Sequence, residues 1–277
     1  MSAPNLEIGT TIKVGSIDTN IHDVGEGEPV VLIHGSGPGV TAWANWRLVI
    51  PELARTRRVV APDMVGFGYT DRPEGVSYCL DTWVDHLVGI LDALELERVD
   101  IIGNSFGGAL ALALATRFPD RIKRMVLMGS VGTSFTLTEG LDAVWGYTPS
   151  IANMRRVLGY FAYDEKLVND DLVELRYRAS VQPQVQEAFS AMFPEPRQRW
   201  LEALASDEEL IKAIRQPTLI VHGRDDRVIP FQSSIRLHEL IVDSQLHVFG
   251  KCGHWTQIEQ AGRFIDLVSS FLIEHYH

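Results

Sequence analysis

The sequence is short of several things, and each shortage narrows its function. It has two cysteines in 277 residues, Cys79 and Cys252. They form no metal-ligand spacing and read as free thiols rather than a disulfide framework. Basic residues are outnumbered 25 to 36, for a net charge of −11, and no run of five or more basic residues occurs. That argues against nucleic acid and against anionic membrane surfaces as partners. No apolar run reaches the ~18 residues of a membrane span. The opening MSAPNLEIGTTIKVG has neither the charged nor the apolar part of an export signal, so a cytoplasmic location is expected. Internal repeats and low-complexity linkers are lacking as well.

What is present is a regular alternation. TTIKVGS and TNIHDVG flank a short turn and read as a hairpin. PVVLIHG, RRVVAPD, VDIIGNS, RMVLMGS, PTLIVHG and SQLHVFG follow, each a continuous apolar run closed by Gly, Asp or Ser. Continuous runs mean strands buried on both faces. Helical patterns fall between them: Trp46 to Ala54, Cys79 to Leu94, Gly107 to Phe118, Phe231 to Ile241 and Gly262 to His275. This is an α/β chain with a mostly parallel sheet and helices on both faces. In such sheets ligands bind beyond the carboxyl ends of the strands. From Thr133 to Ile214 the rhythm breaks, and only helical patterns such as SIANMRRVLGYFAYD appear. About eighty residues are too many for a loop. Residues 133–214 therefore read as a helical lid inserted after the sixth strand, with 1–132 and 215–277 as the core.

The turn Gly103-Asn104-Ser105-Phe106-Gly107 fits G-x-S-x-G between a strand and a helix, the context that gives the motif meaning. A phosphate loop is excluded because the turn has no Lys and no G-x-x-x-x-G-K-[ST] spacing. G-x-G-x-x-G is absent too. Ser105 is thus a candidate nucleophile, and it needs a base and a group to orient that base. In the order expected for this turn, Asp226 follows the strand PTLIVHG and His254 follows SQLHVFG. Asp226 is preferred to Asp225, which is expected to face solvent. His34 is expected to orient its own loop and His222 to be structural. Cys252, two residues from His254, would leave Ser105 unexplained as a nucleophile. For an oxyanion, the Phe106 N–H and the Ser36 N–H are the candidate donors. Gly35 and Gly37 flank Ser36 and let the backbone come close to a ligand.

HGSGPG, APDMVGFGYTDRP, GNSFGG, GRDDRVIP and GHWTQIE, in that order, resemble the α/β-hydrolase superfamily along the whole chain. HGSGPGVTAWANW, Asn104 beside the serine and Trp255 after the histidine resemble the meta-cleavage-product hydrolases. AVWGYTPS and MFPEPRQRW resemble the branch acting on monocyclic products such as 2-hydroxymuconate semialdehyde. The resemblance implies an α/β-hydrolase fold and cleavage of a carbon–carbon bond in 2-hydroxy-6-oxo-hexa-2,4-dienoates. The products would be 2-hydroxypenta-2,4-dienoate and a carboxylic acid, with no metal and no cofactor. It implies a small anionic substrate and a homodimer or higher homo-oligomer. It places Arg176 on the substrate carboxylate, with Arg178 and Arg199 as rivals, and Asn45 and Asn104 on the carboxylate and 2-oxo group. Trp255 would pack on the dienoate, and Val228 and Trp145 would line the pocket for the C6 substituent. Two other readings stay open at this point: a carboxylesterase or lactonase with the same triad, and a non-catalytic small-molecule receptor.

Overall fold

The computed structural model describes residues 5–273. Eight strands form one sheet in the order β1-β2-β4-β3-β5-β6-β7-β8. They are β1 (Thr10–Val14), β2 (Ile17–Val24), β3 (Pro29–Ile33), β4 (Arg58–Pro62), β5 (Val99–Asn104), β6 (Ile122–Met128), β7 (Thr218–Gly223) and β8 (Ser244–Phe249). The hairpin β1–β2 and its pairing to β4 are antiparallel, and every other pairing is parallel. Alternate residues of the apolar runs go to opposite faces. Val31, Ile33, Ile101 and Leu127 join one core cluster, while Val30, Leu32, Ile102 and Val126 join the other. β8 departs from the fully buried reading: it lies at the sheet edge, and Gln245 is exposed.

The helices fill the two faces. α1 (Ala42–Trp46), α2 (Ile50–Leu53) and α13 (Ala261–Ile273) lie against one cluster. α3 (Leu80–Ala93), α4 (Phe106–Arg117) and α11 (Phe231–Leu240) lie against the other. The single helix expected from Trp46 to Ala54 is instead two short ones, α1 and α2, separated at residues 47–49. Pro51, in the first turn of α2, lacks the N–H that would continue a helix through it. The expected end of the last helix at His275 lies outside the described residues. α4 is apolar all round because it is buried all round: ten of its residues, from Phe106 to Ala115, are inaccessible.

Between β6 and β7 run α5 (Glu139–Trp145), α6 (Ile151–Phe161), α7 (Asp170–Ser180), α8 (Val185–Met192), α9 (Gln198–Leu204) and α10 (Glu208–Lys212). Thr138, Ser150 and Asn169 cap α5, α6 and α7 by accepting from backbone N–H groups. Residues of α5, α6 and α7 roof a cavity at the carboxyl ends of the strands. α9 and α10 turn back onto the core, where α9 touches α4 and α10 touches α4 and α11. Among the described residues no helix is long and apolar enough to cross a membrane.

Candidate active site

Ser105 joins β5 to α4 with φ 54° and ψ −113°, in a region that side chains rarely adopt. The surrounding glycines explain how the chain tolerates it. A Cβ on Gly103 would lie 2.3 Å from the Gly107 carbonyl, and one on Gly107 would lie 2.4 Å from the Ile33 carbonyl. The turn is tied down from both sides: Ser105 N–H donates to Met128 O at 2.9 Å, and Val131 N–H donates to Ser105 O at 3.1 Å. Ser105 lines the cavity.

His254 Nδ1 lies 2.7 Å from Asp226 Oδ2, and both side chains are buried. Asp226 Oδ1 accepts from Val228 N–H at 2.7 Å and Ile229 N–H at 2.9 Å, which fixes the carboxylate. Burial alone would raise this carboxyl. The charge and hydrogen bond of His254, the charge of His222 and the Ile229 N–H outweigh it and hold the group below its ordinary value. An ionised Asp226 takes the Nδ1 proton of His254 as a hydrogen bond, leaving Nε2 as the basic nitrogen. Ser105 and His254 line the same cavity, without a direct hydrogen bond between them among the described residues.

The rival residues have other duties. Asp225 does not simply face solvent: it is half-buried, and its carboxylate accepts from Cys252 N–H at 3.3 Å. His222 is buried with Nδ1 2.7 Å from Ser234 Oγ, a structural position. Burial pushes the Cys252 thiol up to about 12, which leaves it protonated and unreactive. His34 Nε2 accepts from Met64 N–H at 3.0 Å, so Nδ1 carries the proton and donates to Gly35 O at 2.7 Å. Desolvation lowers His34 to about 4, and the ring orients its loop as a neutral group.

Gly35, Ser36 and Gly37 follow β3 and line the cavity beside Ser105. Phe106 N–H stands at the first position of α4, where a helix has no internal acceptor. Among the described residues, neither the Ser36 nor the Phe106 amide has a protein acceptor. Trp145 was expected in the cavity wall, and the structure corrects this. Its buried indole stands behind the wall, stacked on Phe193 at 4.3 Å, and its Nε1 donates to Ser36 Oγ at 2.9 Å. Leu141, one turn before it on α5, and its neighbour Val144 line the cavity instead.

The cavity holds about 290 Å³, and Asn45, Asn104, Arg176, Val228 and Trp255 all line it. Asn45 Oδ1 accepts from Gly35 N–H at 3.2 Å, and its buried Nδ2 has no partner among the described residues. Asn104 Nδ2 donates to Met128 O at 3.3 Å. Arg176 is not a solvated lid residue. It is 9% exposed, its Nη1 lies 3.0 Å from Glu7 Oε1, and its Nη2 donates to Gly39 O. Arg178 instead pairs with Glu174 at the surface, and Arg199 lies over the Trp200 ring.

Four residues escaped the sequence reading. Gly129 (φ +49°) follows β6, and a Cβ there would lie 3.2 Å from His254 Nδ1 and 3.3 Å from Asp226 Oδ2. Phe161, at the end of α6, stacks on His254 at 5.6 Å and on Trp255 at 5.1 Å. Glu259 accepts from Tyr163 N–H at 2.8 Å and Asp164 N–H at 2.9 Å with one oxygen, and from Gly253 N–H at 2.6 Å with the other. It thereby joins the segment after α6 to the histidine loop. Arg47, just after α1, lines the cavity with Arg176. A lone glycine after MVLM was the only available signal for Gly129, and the proximity of Arg47 to Asn45 the only one for Arg47.

Residues 28–261 match the α/β hydrolase fold family. A 2-hydroxy-6-oxo-2,4-heptadienoate hydrolase of Pseudomonas putida is 66% identical, covering 98% of this chain and 99% of its own. A 2-hydroxymuconate semialdehyde hydrolase of a Pseudomonas species is 62% identical, with 99% and 98% covered. Among solved structures, an alanine variant of the meta-cleavage product hydrolase CumD from Pseudomonas fluorescens, complexed with acetates, superposes with a TM-score of 0.96. It is 64% identical, with 97% of this chain and 98% of that one covered. With its sheet order, its strained serine turn and these likenesses, the chain belongs to the α/β-hydrolase fold family and, within it, to the meta-cleavage product hydrolases.

Proposed function

We propose that the protein is a serine hydrolase that cleaves the C5–C6 bond of 2-hydroxy-6-oxo-hexa-2,4-dienoate-type ring-fission products, giving 2-hydroxypenta-2,4-dienoate and a carboxylic acid. The observation that carries this reading is one cavity shared by Ser105, His254 and Arg176, with the apolar residues Val144, Val157 and Val228 in its wall. Such a cavity suits a substrate with a carboxylate at one end and an apolar group beside a ketone at the other. The activities of the relatives named above support it.

In this mechanism the dienol first ketonises, so that the C2 carbonyl is conjugated to the bond that will break. Ser105 Oγ adds to the C6 carbonyl as His254 Nε2 takes its proton. The Ser36 and Phe106 amides hold the oxyanion. The C5–C6 bond then breaks, and its electron pair passes through the conjugated chain to the C2 oxygen, which takes up the proton held by His254, C5 having gained its own in the ketonisation. Water, deprotonated by His254, splits the acyl–Ser105 ester and frees the carboxylic acid. Asp226 keeps His254 in the tautomer with the proton on Nδ1 throughout. Asn45, Asn104 and Trp255 hold the oxygenated end and the dienoate chain. Val228 faces the C6 substituent, while Trp145 acts at one remove by orienting Ser36.

A cavity of about 290 Å³ is at the small end of ligand pockets, which span ~300–1,000 Å³. It favours hydrogen or methyl at C6 over phenyl. We further propose 133–214 as the lid and 1–132 with 215–277 as the core, a division supported by the roof that α5 to α7 make over the cavity. The test is to offer ring-fission products with hydrogen, methyl, isopropyl or phenyl at C6 and follow loss of the yellow dienolate. Turnover is expected, fastest for the small substituents. Hydrolysis of simple p-nitrophenyl esters with no turnover of any dienoate would overturn the reading.

A further inference from the structure

Two guanidinium groups face this cavity, and one carboxylate accompanies them. Arg176 is held by Glu7 and by the Gly39 carbonyl, so two of its nitrogens are committed to protein. Arg47 donates from Nη1 to Ala44 O at 2.7 Å and has no carboxylate partner among the described residues. Its Nε and Nη2 edge carries no protein hydrogen bond there either. Burial, and after it the charge of Arg176, make the protonated form of Arg47 harder to hold, and Glu7 opposes them. Among the described residues the other buried arginine–carboxylate contacts are closed: Arg57 and Arg124 both meet Asp100, at 2.7 and 3.6 Å. Like charges brought together out of water are tolerated when an anion completes them.

We propose that Arg47 is the second cation of a two-arginine carboxylate site, whose missing counter-charge is the carboxylate of the substrate. The inference rests on the dienoate reading above and extends it. Two cations and Glu7 leave one positive charge facing the cavity, which matches one carboxylate. Arg176, anchored by Glu7 and Gly39, is the oriented partner. Arg47 keeps the Nε–Nη2 edge that forms a bidentate pair with a carboxylate. Glu7 is then a positioning residue for Arg176, reaching the site from 169 positions away.

The experiment compares kcat/KM for 2-hydroxy-6-oxohepta-2,4-dienoate with kcat/KM for neutral p-nitrophenyl acetate in wild type, Arg47→Gln and Arg47→Lys. A fold defect lowers both and leaves their ratio alone. The ratio is expected to fall about 10- to 100-fold in Arg47→Gln, mainly through KM for the dienoate, and to recover in part in Arg47→Lys. Should activity be too low to measure, dienoate titration of Ser105→Ala and Ser105→Ala/Arg47→Gln gives the same comparison as a Kd. A ratio or Kd in the Gln variant within about twofold of its parent overturns the proposal. Failure of the wild type on every dienoate would instead overturn the function, so the two failures are distinct.

Discussion

Two groups of side chains face the same cavity and are built in different ways. Ser105, Asp226 and His254 sit in the loops that follow β5, β7 and β8, and backbone groups hold the first two. Met128 O, Val131 N–H, Val228 N–H and Ile229 N–H fix the serine, the first residue after β5, and the aspartate, the third after β7. Arg47 and Arg176 instead reach in on long side chains from the residue after α1 and from α7, and one is oriented by a residue near the start of the chain. The difference teaches where each task is placed. In the proposed function, bond making is set on residues held close to strand ends, and recognition on side chains whose direction depends on distant contacts.

That contrast predicts that damage to the first group appears in kcat and damage to the second in KM. Ser105→Ala should lower kcat about 10³-fold or more while dienoate still binds; near-native turnover would break the comparison at its firmest point. Gly129→Ala should lower kcat about 10- to 100-fold, because its Cβ would press on His254 Nδ1 and Asp226 Oδ2. An unchanged kcat there would mean that the pair has slack the geometry does not reveal. Arg176→Gln should raise KM for the dienoate about tenfold or more and affect p-nitrophenyl acetate less. Equal loss on both substrates would erase the division between the groups.

The smallest effect concerns pH and the frame beneath both groups. Burial holds His34 and His86 at about 4, against an ordinary 6.5. The unfolded chain therefore binds more protons than the folded one below 6.5, and stability falls as pH drops from there towards 4. Asp63, pushed up to about 6 by burial from 3.8, works the other way between those values, one group against two. Calorimetric Tm should decline modestly from about pH 7.5 to 5. A rising Tm over that range would show that the two rings are not neutral.

Legibility in the sequence follows the same division. The strands, the insertion after β6 and the three residues at strand ends could be read because each lies beside its own local signal: an apolar run, then a glycine or aspartate turn. Trp145 was misplaced because a helical position gives the face of a side chain only to within a turn, and its neighbours Leu141 and Val144 took the wall instead. Arg176 could be placed by resemblance, but its partner Glu7 could not, since nothing local links positions so far apart. Arg47 lay hidden in the stretch read as one continuous helix, where it would have been one more solvent-facing charge. The break before Pro51 changes that stretch.

Glu259 carries a consequence for anyone who would recombine these proteins. One carboxylate holds the backbone of Tyr163 and Asp164 and the backbone beside His254. A cap exchanged between relatives at the sequence boundaries 133 and 214 would carry away two of those three amides and leave the acid behind. The transplantable unit is therefore discontinuous: the inserted helices together with the histidine loop through Glu259. Chimeras that respect this seam keep the base in register with its new roof, and those that cut across it inherit a roof without its fastening.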